Sequence, residues 1–122
     1  MKKIMLNCID EISDKIITLN SENNKLKKDF PSILIPFLPN NIKELTIRAI
    51  VRKLNLGTIK KIDIVKYRNS NNNLNKIFIH FNEWNIDKTT NAFRNKIIAG
   101  HNIIVVYNNP WFCKMKASIY NF

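Results

Sequence analysis

The sequence predicts an α+β fold, a sheet built in the order βαββαβ with both helices on one face, preceded by an N-terminal helix that pairs as a coiled coil. Three observations lead there. Residues 5 to 30 carry a heptad seam. Segments 33–38, 58–67, 75–83 and 102–107 alternate or run apolar as strands do, and 42–54 and 87–100 between them carry apolar residues at helical spacing. Caps, prolines and glycines punctuate the chain where those segments meet.

In the N-terminal segment Met5, Ile9, Ile12, Ile16, Leu19, Asn23, Leu26 and Phe30 are spaced 4, 3, 4, 3, 4, 3, 4, which keeps one narrow stripe facing a partner helix. With Ile9, Ile16 and Asn23 at a, the d positions are Ile12, Leu19 and Leu26. That choice favours a parallel dimer, with the lone Asn fixing its register. Glu22 at g faces Lys27 at e of the partner, worth roughly a few tenths of a kcal/mol at an exposed site. Ile4, Leu6 and Ile17 widen the stripe, as they would on an amphipathic helix folded back on its own domain. The expected organisation is a coiled-coil helix over 1–30 and a globular domain over 31–122, the chain's first partner being a second copy of itself.

Pro31 and Pro39 bracket the first strand, Ile33 to Leu38. Asn41 with Glu44 three residues on is a capping signal for a helix over Ile42–Leu54, whose apolar positions include Leu45, Ile47, Ile50, Val51 and Leu54, and Gly57 supplies its stop. Thr58–Tyr67 alternates as a second strand, and the polar run 68–73 turns the chain. In the third strand Ile77, Ile79 and Phe81 point one way and Lys76, Phe78 and His80 the other. Asp87 caps a second helix carrying Ala92, Phe93, Ile97 and Ile98, closed by Gly100. Asn102–Tyr107 reads as a buried fourth strand, and Trp111–Met115 adds a fifth or crosses the open face. Two such halves make the ferredoxin-like βαββαβ sandwich, with one sheet face left open as a binding surface or an interface.

Of 122 residues, 20 are Lys or Arg and 9 are Asp or Glu. Residues 1–29 hold six of the bases and five of the acids, so the remaining 93 residues hold 14 against 4, a balance of +10. A module that basic attracts polyanions, RNA or DNA first and an anionic membrane surface second. Asn, Ile and Lys, 57 residues together, all have A/T-rich codons, and codon bias is the competing reading of the lysines. It accounts less well for the shortage of acids. Two cysteines without metal or redox spacing, an N-terminus interrupted by Asn7, Asp10 and Glu11, and the lack of a membrane-length apolar run lead to the expectation of a soluble, intracellular protein that spans no membrane.

The order and spacing of elements resemble the RNA-recognition motif. Its third-strand octapeptide falls on Leu74–Phe81 and its first-strand hexapeptide on Ile33–Leu38. Ile79 and Phe81, with Ile33, Ile35 and Leu38, occupy its buried places. Of its three stacking rings Phe78 is kept, Lys76 and Leu34 replace the others, and Asn75 replaces a Gly. Residues 32 to about 118, with IFIHFNEW, Arg94, Gly100 and IIVVYNNPWFCKM, also resemble small βαββαβ domains in proteins of large nucleocytoplasmic DNA viruses, in which an aromatic stands where this chain has Cys113. That resemblance implies a viral protein working in the host cytoplasm or a viral factory.

The expected function is non-enzymatic binding of RNA or DNA by a dimer. The residues expected to carry it are Lys76, Phe78 and His80 on the third strand, Lys60, Lys61, Lys66 and Arg68 around the second, and Lys114 and Lys116 at the end. His80 reads equally as an exposed polar residue. Trp84, Trp111 and Phe112 read as packing residues rather than a platform. The alternative is a protein-interaction module whose sheet face, through Leu34 and Phe37, or whose C-terminal segment meets another protein. No nucleophile has a base at recognisable spacing, no glycine-rich loop is present and the two His lack companions, so catalytic residues, metal and cofactor are not expected.

Overall fold

Alternation along the longest strand organises the domain. In this computed structural model, which describes the backbone of residues 3–5 together with residues 27–67 and 73–118, the chain forms an antiparallel sheet with two helices. The elements are β1 (Lys3–Met5), β2 (Ile33–Pro39), α1 (Glu44–Leu54), β3 (Gly57–Lys66), β4 (Leu74–Trp84), α2 (Lys88–Ile98), β5 (Ile103–Asn108) and β6 (Trp111–Ala117). Their order across the sheet is β1-β5-β6-β2-β4-β3. The fold is therefore α+β, as the sequence predicts.

One face of the sheet and one side of each helix form a single core. Ile33, Ile35 and Leu38 of β2, Ile77, Ile79 and Phe81 of β4, and Ile103 and Val105 of β5 meet Ile47, Val51 and Leu54 of α1 and Phe93 and Ile97 of α2. Three bulges adjust which residues reach it. Ile35 pairs with Ile77 but Leu38 with Asn75, so β2 holds one extra residue and Leu38 returns to the core side. Phe81 pairs with Ile59 and Glu83 with Thr58, so Asn82 is extra in β4, and Trp84 reaches the same side as Phe81, with ring centroids 4.4 Å apart. Lys60 is the extra residue in β3.

The sheet departs from the expected four-stranded arrangement at β6. β2 pairs antiparallel with β4 on one edge and with β6 on the other, through Ile33 with Ala117 and Leu34 with Lys116. β5 lies outside β6. The strand read as the fourth thus does not lie beside the first, and it runs antiparallel to β4. The reason is in the packing: β6 offers alternate apolar residues, Cys113 and Met115, both buried, which pair with Val105 and Ile103 of β5 to close the core between β5 and β2. A chain crossing the open face would leave them in water.

The N-terminal segment also differs from expectation at both of its ends. Met5 lies on a strand, pairing with Ile104 of β5, rather than opening a helical seam. Lys27–Phe30 is a turn, not the last turn of a helix, and it is fastened to the domain. Arg94 Nε donates to the Phe30 carbonyl at 2.7 Å and its NH2 group to that of Lys27 at 2.8 Å, while the Trp84 backbone N–H donates to the Lys28 carbonyl at 2.9 Å. The guanidinium also lies 5.6 Å from the Trp84 ring centroid. Ile9, Ile12, Ile16, Leu19, Asn23 and Leu26, on which the expected coiled coil rests, lie outside the described residues.

Helix boundaries follow the caps only in part. Lys43, not Asn41, stands at the start of α1 and caps it with no side-chain bond, and Asn55 in the left-handed region ends it, with φ of 56°. Gly57 instead begins β3, where its φ is 155° and a side chain would collide with the Glu83 carbonyl oxygen. Leu45 and Ala92, expected in the core, are exposed because they fall off the buried stripes. Asp87 caps α2 as expected, accepting from the Thr90 backbone N–H at 2.8 Å. That bond and the Thr90 hydroxyl hold its carboxyl below the usual carboxylate range.

Candidate nucleic-acid interface

The sheet face turned away from the helices is read from strand parity and register. It presents Lys61, Asp63 and Val65 on β3, Lys76, Phe78 and His80 on β4, Leu34 on β2, and Phe112, Lys114 and Lys116 on β6. The residues expected to stack and read bases divide sharply. Phe78 is 8% exposed and His80 3%. Phe78 is flanked across the strands by Asp63 and Leu34, and its ring lies nearly parallel to that of His80 at 6.4 Å. It offers too little surface for a base, so the expected stacking role for Phe78 and His80 does not hold.

His80 is instead the middle of a hydrogen-bonded chain. Its Nδ1 lies 2.8 Å from the Ser32 hydroxyl and its Nε2 3.0 Å from an Asp63 carboxylate oxygen. Lys61 Nζ approaches the same oxygen at 3.7 Å. Ser32 comes from the chain entering β2, Asp63 from the middle of β3 and His80 from β4. Local sequence gave no signal for this cluster, because its members are 48 and 17 residues apart.

The cations fare better than the rings. Lys60, Lys61 and Lys66 are exposed on β3, and Lys114 and Lys116 on β6. Lys76 is half-buried, its Nζ 5.4 Å from the Tyr67 ring centroid, a cation–π contact. Arg68 lies outside the described residues. Arg48 is engaged on α1, its Nε donating to Glu44 at 2.9 Å.

The exposed aromatics stand where packing was expected. Trp84 is buried, as read from the sequence, its Nε1–H donating to the Pro31 carbonyl at 3.0 Å. Trp111 and Phe112 are 62% and 53% exposed, Trp111 because it sits at the turn end of β6 opposite Asn108 and Phe112 because it points to the face turned away from the helices. Phe37 is exposed too, stacked on Tyr67 at 5.4 Å, and the Tyr67 hydroxyl donates to the Pro36 carbonyl. β6 runs antiparallel to β2 with Ala117 opposite Ile33, so Phe112 lies toward the Phe37 end of the sheet. A pattern that marks this row is present in the sequence, since Phe112, Lys114 and Lys116 alternate at strand spacing.

Compared with known proteins, the chain matches no protein-family model, no curated protein and no solved structure. Among the described residues no helix is long and apolar enough to cross a membrane, and no cluster of His, Cys, Asp and Glu is arranged to hold a metal ion.

Proposed function

We propose that the chain is a basic nucleic-acid-binding protein that acts by binding rather than catalysis, through the sheet face turned away from its helices. The observation that carries the reading is β6, whose Phe112, Lys114 and Lys116 are all exposed on one side of a domain with four acids against 14 bases. A ring to stack on, followed by two cations at the roughly 6.4–6.8 Å spacing of alternate strand residues, suits a single strand whose phosphates repeat at a similar distance.

The finer fold assignment belongs to the same reading. With β6 taken as the strand beside β2, the sheet has the neighbours of a degenerate RNA-recognition-motif-like, ferredoxin-like domain, and β5 is an addition. Dimerisation through Ile9, Ile12, Ile16, Leu19, Asn23 and Leu26 would bring two such faces onto one strand and raise apparent affinity without new contacts. The likeness to domains of large DNA viruses supports a viral setting, with RNA or DNA of the host cytoplasm or viral factory as ligand. A second reading, a protein-interaction surface, is favoured by the exposure of Phe37 and Trp111 at the same end of the sheet.

The test is a fluorescence anisotropy titration of the purified full chain against single- and double-stranded DNA and RNA at low salt, with sizing before and after nuclease treatment. Binding that weakens steeply with salt is expected. No binding to any of the four would sink the reading and leave the protein-interaction surface in its place.

A further inference from the structure

At the opposite end of the sheet from Trp111 and Phe37, a cavity of about 120 Å³ opens beside the start of β2, with Lys27, Asp29, Ser32, Lys60 and His80 in its walls. We propose that it is a site for a phosphate monoester, and that the terminal phosphate of a nucleic-acid strand is its ligand. The choice of a strand end as source rests on the nucleic-acid reading above; the choice of phosphate does not.

Size comes first. A cavity of this volume lies well below the several hundred Å³ that house a small organic ligand. It suits a compact group and not a base with its sugar. Charge comes second: two lysines, Lys27 and Lys60, line the cavity against one aspartate, Asp29. Lys60 is the extra residue of the β3 bulge, unpaired between Ile59 and Lys61, and a bulge is a common device for re-aiming a side chain.

The buried polar pair in the wall supplies the third argument. Ser32 and His80 are 5% and 3% exposed, and the Asp63 carboxylate holds the far nitrogen of the ring. The Ser32 hydroxyl is both donor and acceptor and turns about its C–O bond, so an anion in the cavity can draw its proton into a charge-assisted hydrogen bond, with Lys61 behind the Asp63 carboxylate at 3.7 Å. The same connectivity serves a nucleophile, its base and an orienting acid, and that is the use the experiment must separate from binding.

One single-stranded oligonucleotide, prepared with a 5′-phosphate, a 3′-phosphate or hydroxyl ends, is titrated into the full chain, and inorganic phosphate is added in parallel thermal melts. One phosphorylated form should bind about tenfold more tightly than the hydroxyl form, a difference of about 1.4 kcal/mol. That advantage should vanish in Ser32→Ala and in Lys60→Gln, which alters an exposed side chain and spares the fold, and persist in Lys66→Gln. Inorganic phosphate should raise the melting temperature of the wild type but not of Lys60→Gln. If no oligonucleotide binds while that phosphate effect remains, the site stands with free phosphate as its ligand and the nucleic-acid reading falls. Equal affinity for all ends together with no effect of phosphate overturns the site. A stable adduct of a fluorophosphonate on Ser32 would overturn it in favour of a reactive nucleophile.

Discussion

Replacing Lys114 and Lys116 together by Gln should reduce the salt dependence of the proposed nucleic-acid binding, by an amount that follows from the lysines on that face. Among the residues whose side chains are described, four lysines project from the face turned away from the helices: Lys61, Lys76, Lys114 and Lys116. Lys61 is partly occupied by Asp63 at 3.7 Å, so three to four are free to displace counterions. At about 0.7 released per phosphate contact on a single strand, log K should fall with log salt at a slope of about −2 to −3. A tenfold rise in salt then weakens binding by roughly 100- to 1,000-fold.

Lys114→Gln with Lys116→Gln removes two contacts, and the slope should become shallower by about 1.4. Arg52→Gln with Lys53→Gln removes the same charge from the exposed side of α1, in the other layer, and should leave the slope nearly unchanged. Phe112→Ala should do the converse of the lysine pair, costing about 1 to 3 kcal/mol of affinity while the slope stays put, because stacking releases no counterions. Anisotropy titrations of a labelled single strand across a salt series read both quantities. If the α1 pair changes the slope as much as the β6 pair, the attraction belongs to overall charge and the argument for this face fails.

Four further outcomes follow from the packing. Gly57→Ala should lower stability markedly, since its Cβ would sit 2.2 Å from the Glu83 carbonyl oxygen and 2.8 Å from the Trp84 Cα; an unchanged urea midpoint would contradict the close approach of β3 and β4. Trp84→Phe should cost about 1 to 3 kcal/mol by leaving the Pro31 carbonyl without its donor, and Trp84→Ala about 3 to 5 kcal/mol through the cavity beside Phe81 and Phe93, both read by urea denaturation. Burial pushes the Cys113 thiol up to about 12, so with Cys8 replaced by Ser a thiol-reactive dye should label the remaining thiol at mildly alkaline pH only once the chain is unfolded; prompt labelling of the folded Cys8→Ser protein would contradict the placement of β6. The Asp87 carboxyl is held low by the Thr90 N–H and hydroxyl, so its contribution is complete above the ordinary carboxylate range and is lost as pH falls through its lower folded value. Stability-versus-pH curves of the wild type and Asp87→Ala should therefore lie apart at neutral pH and converge in acid.

Much of the fold was legible because it rests on local periodicity. The alternation of Ile77, Ile79 and Phe81 and the punctuation by Asp87 and Gly100 are properties of a few neighbouring residues, and the structure keeps them. Single alternation also marks Phe112, Lys114 and Lys116 as one side of a strand. It cannot say whether that side is covered. Phe78 was expected to be open and is buried, while Phe112 was expected to pack and is exposed, since exposure depends on neighbours far away in the chain.

The sequence by itself determined the element types between Ile33 and Asn108, most of the apolar face of each and the excess of base over acid, because each depends on residues within one or two turns or on composition alone. Tertiary structure alone decided strand order, bulges and the meeting of Ser32, His80 and Asp63. β6 enters between β5 and β2 because Cys113 and Met115 complete a core assembled from five strands and two helices. Single extra residues in β2, β3 and β4 set the sides to which Leu38, Lys60 and Trp84 point. Such choices are made by long-range packing, where one residue of register moves a side chain from one face of the sheet to the other.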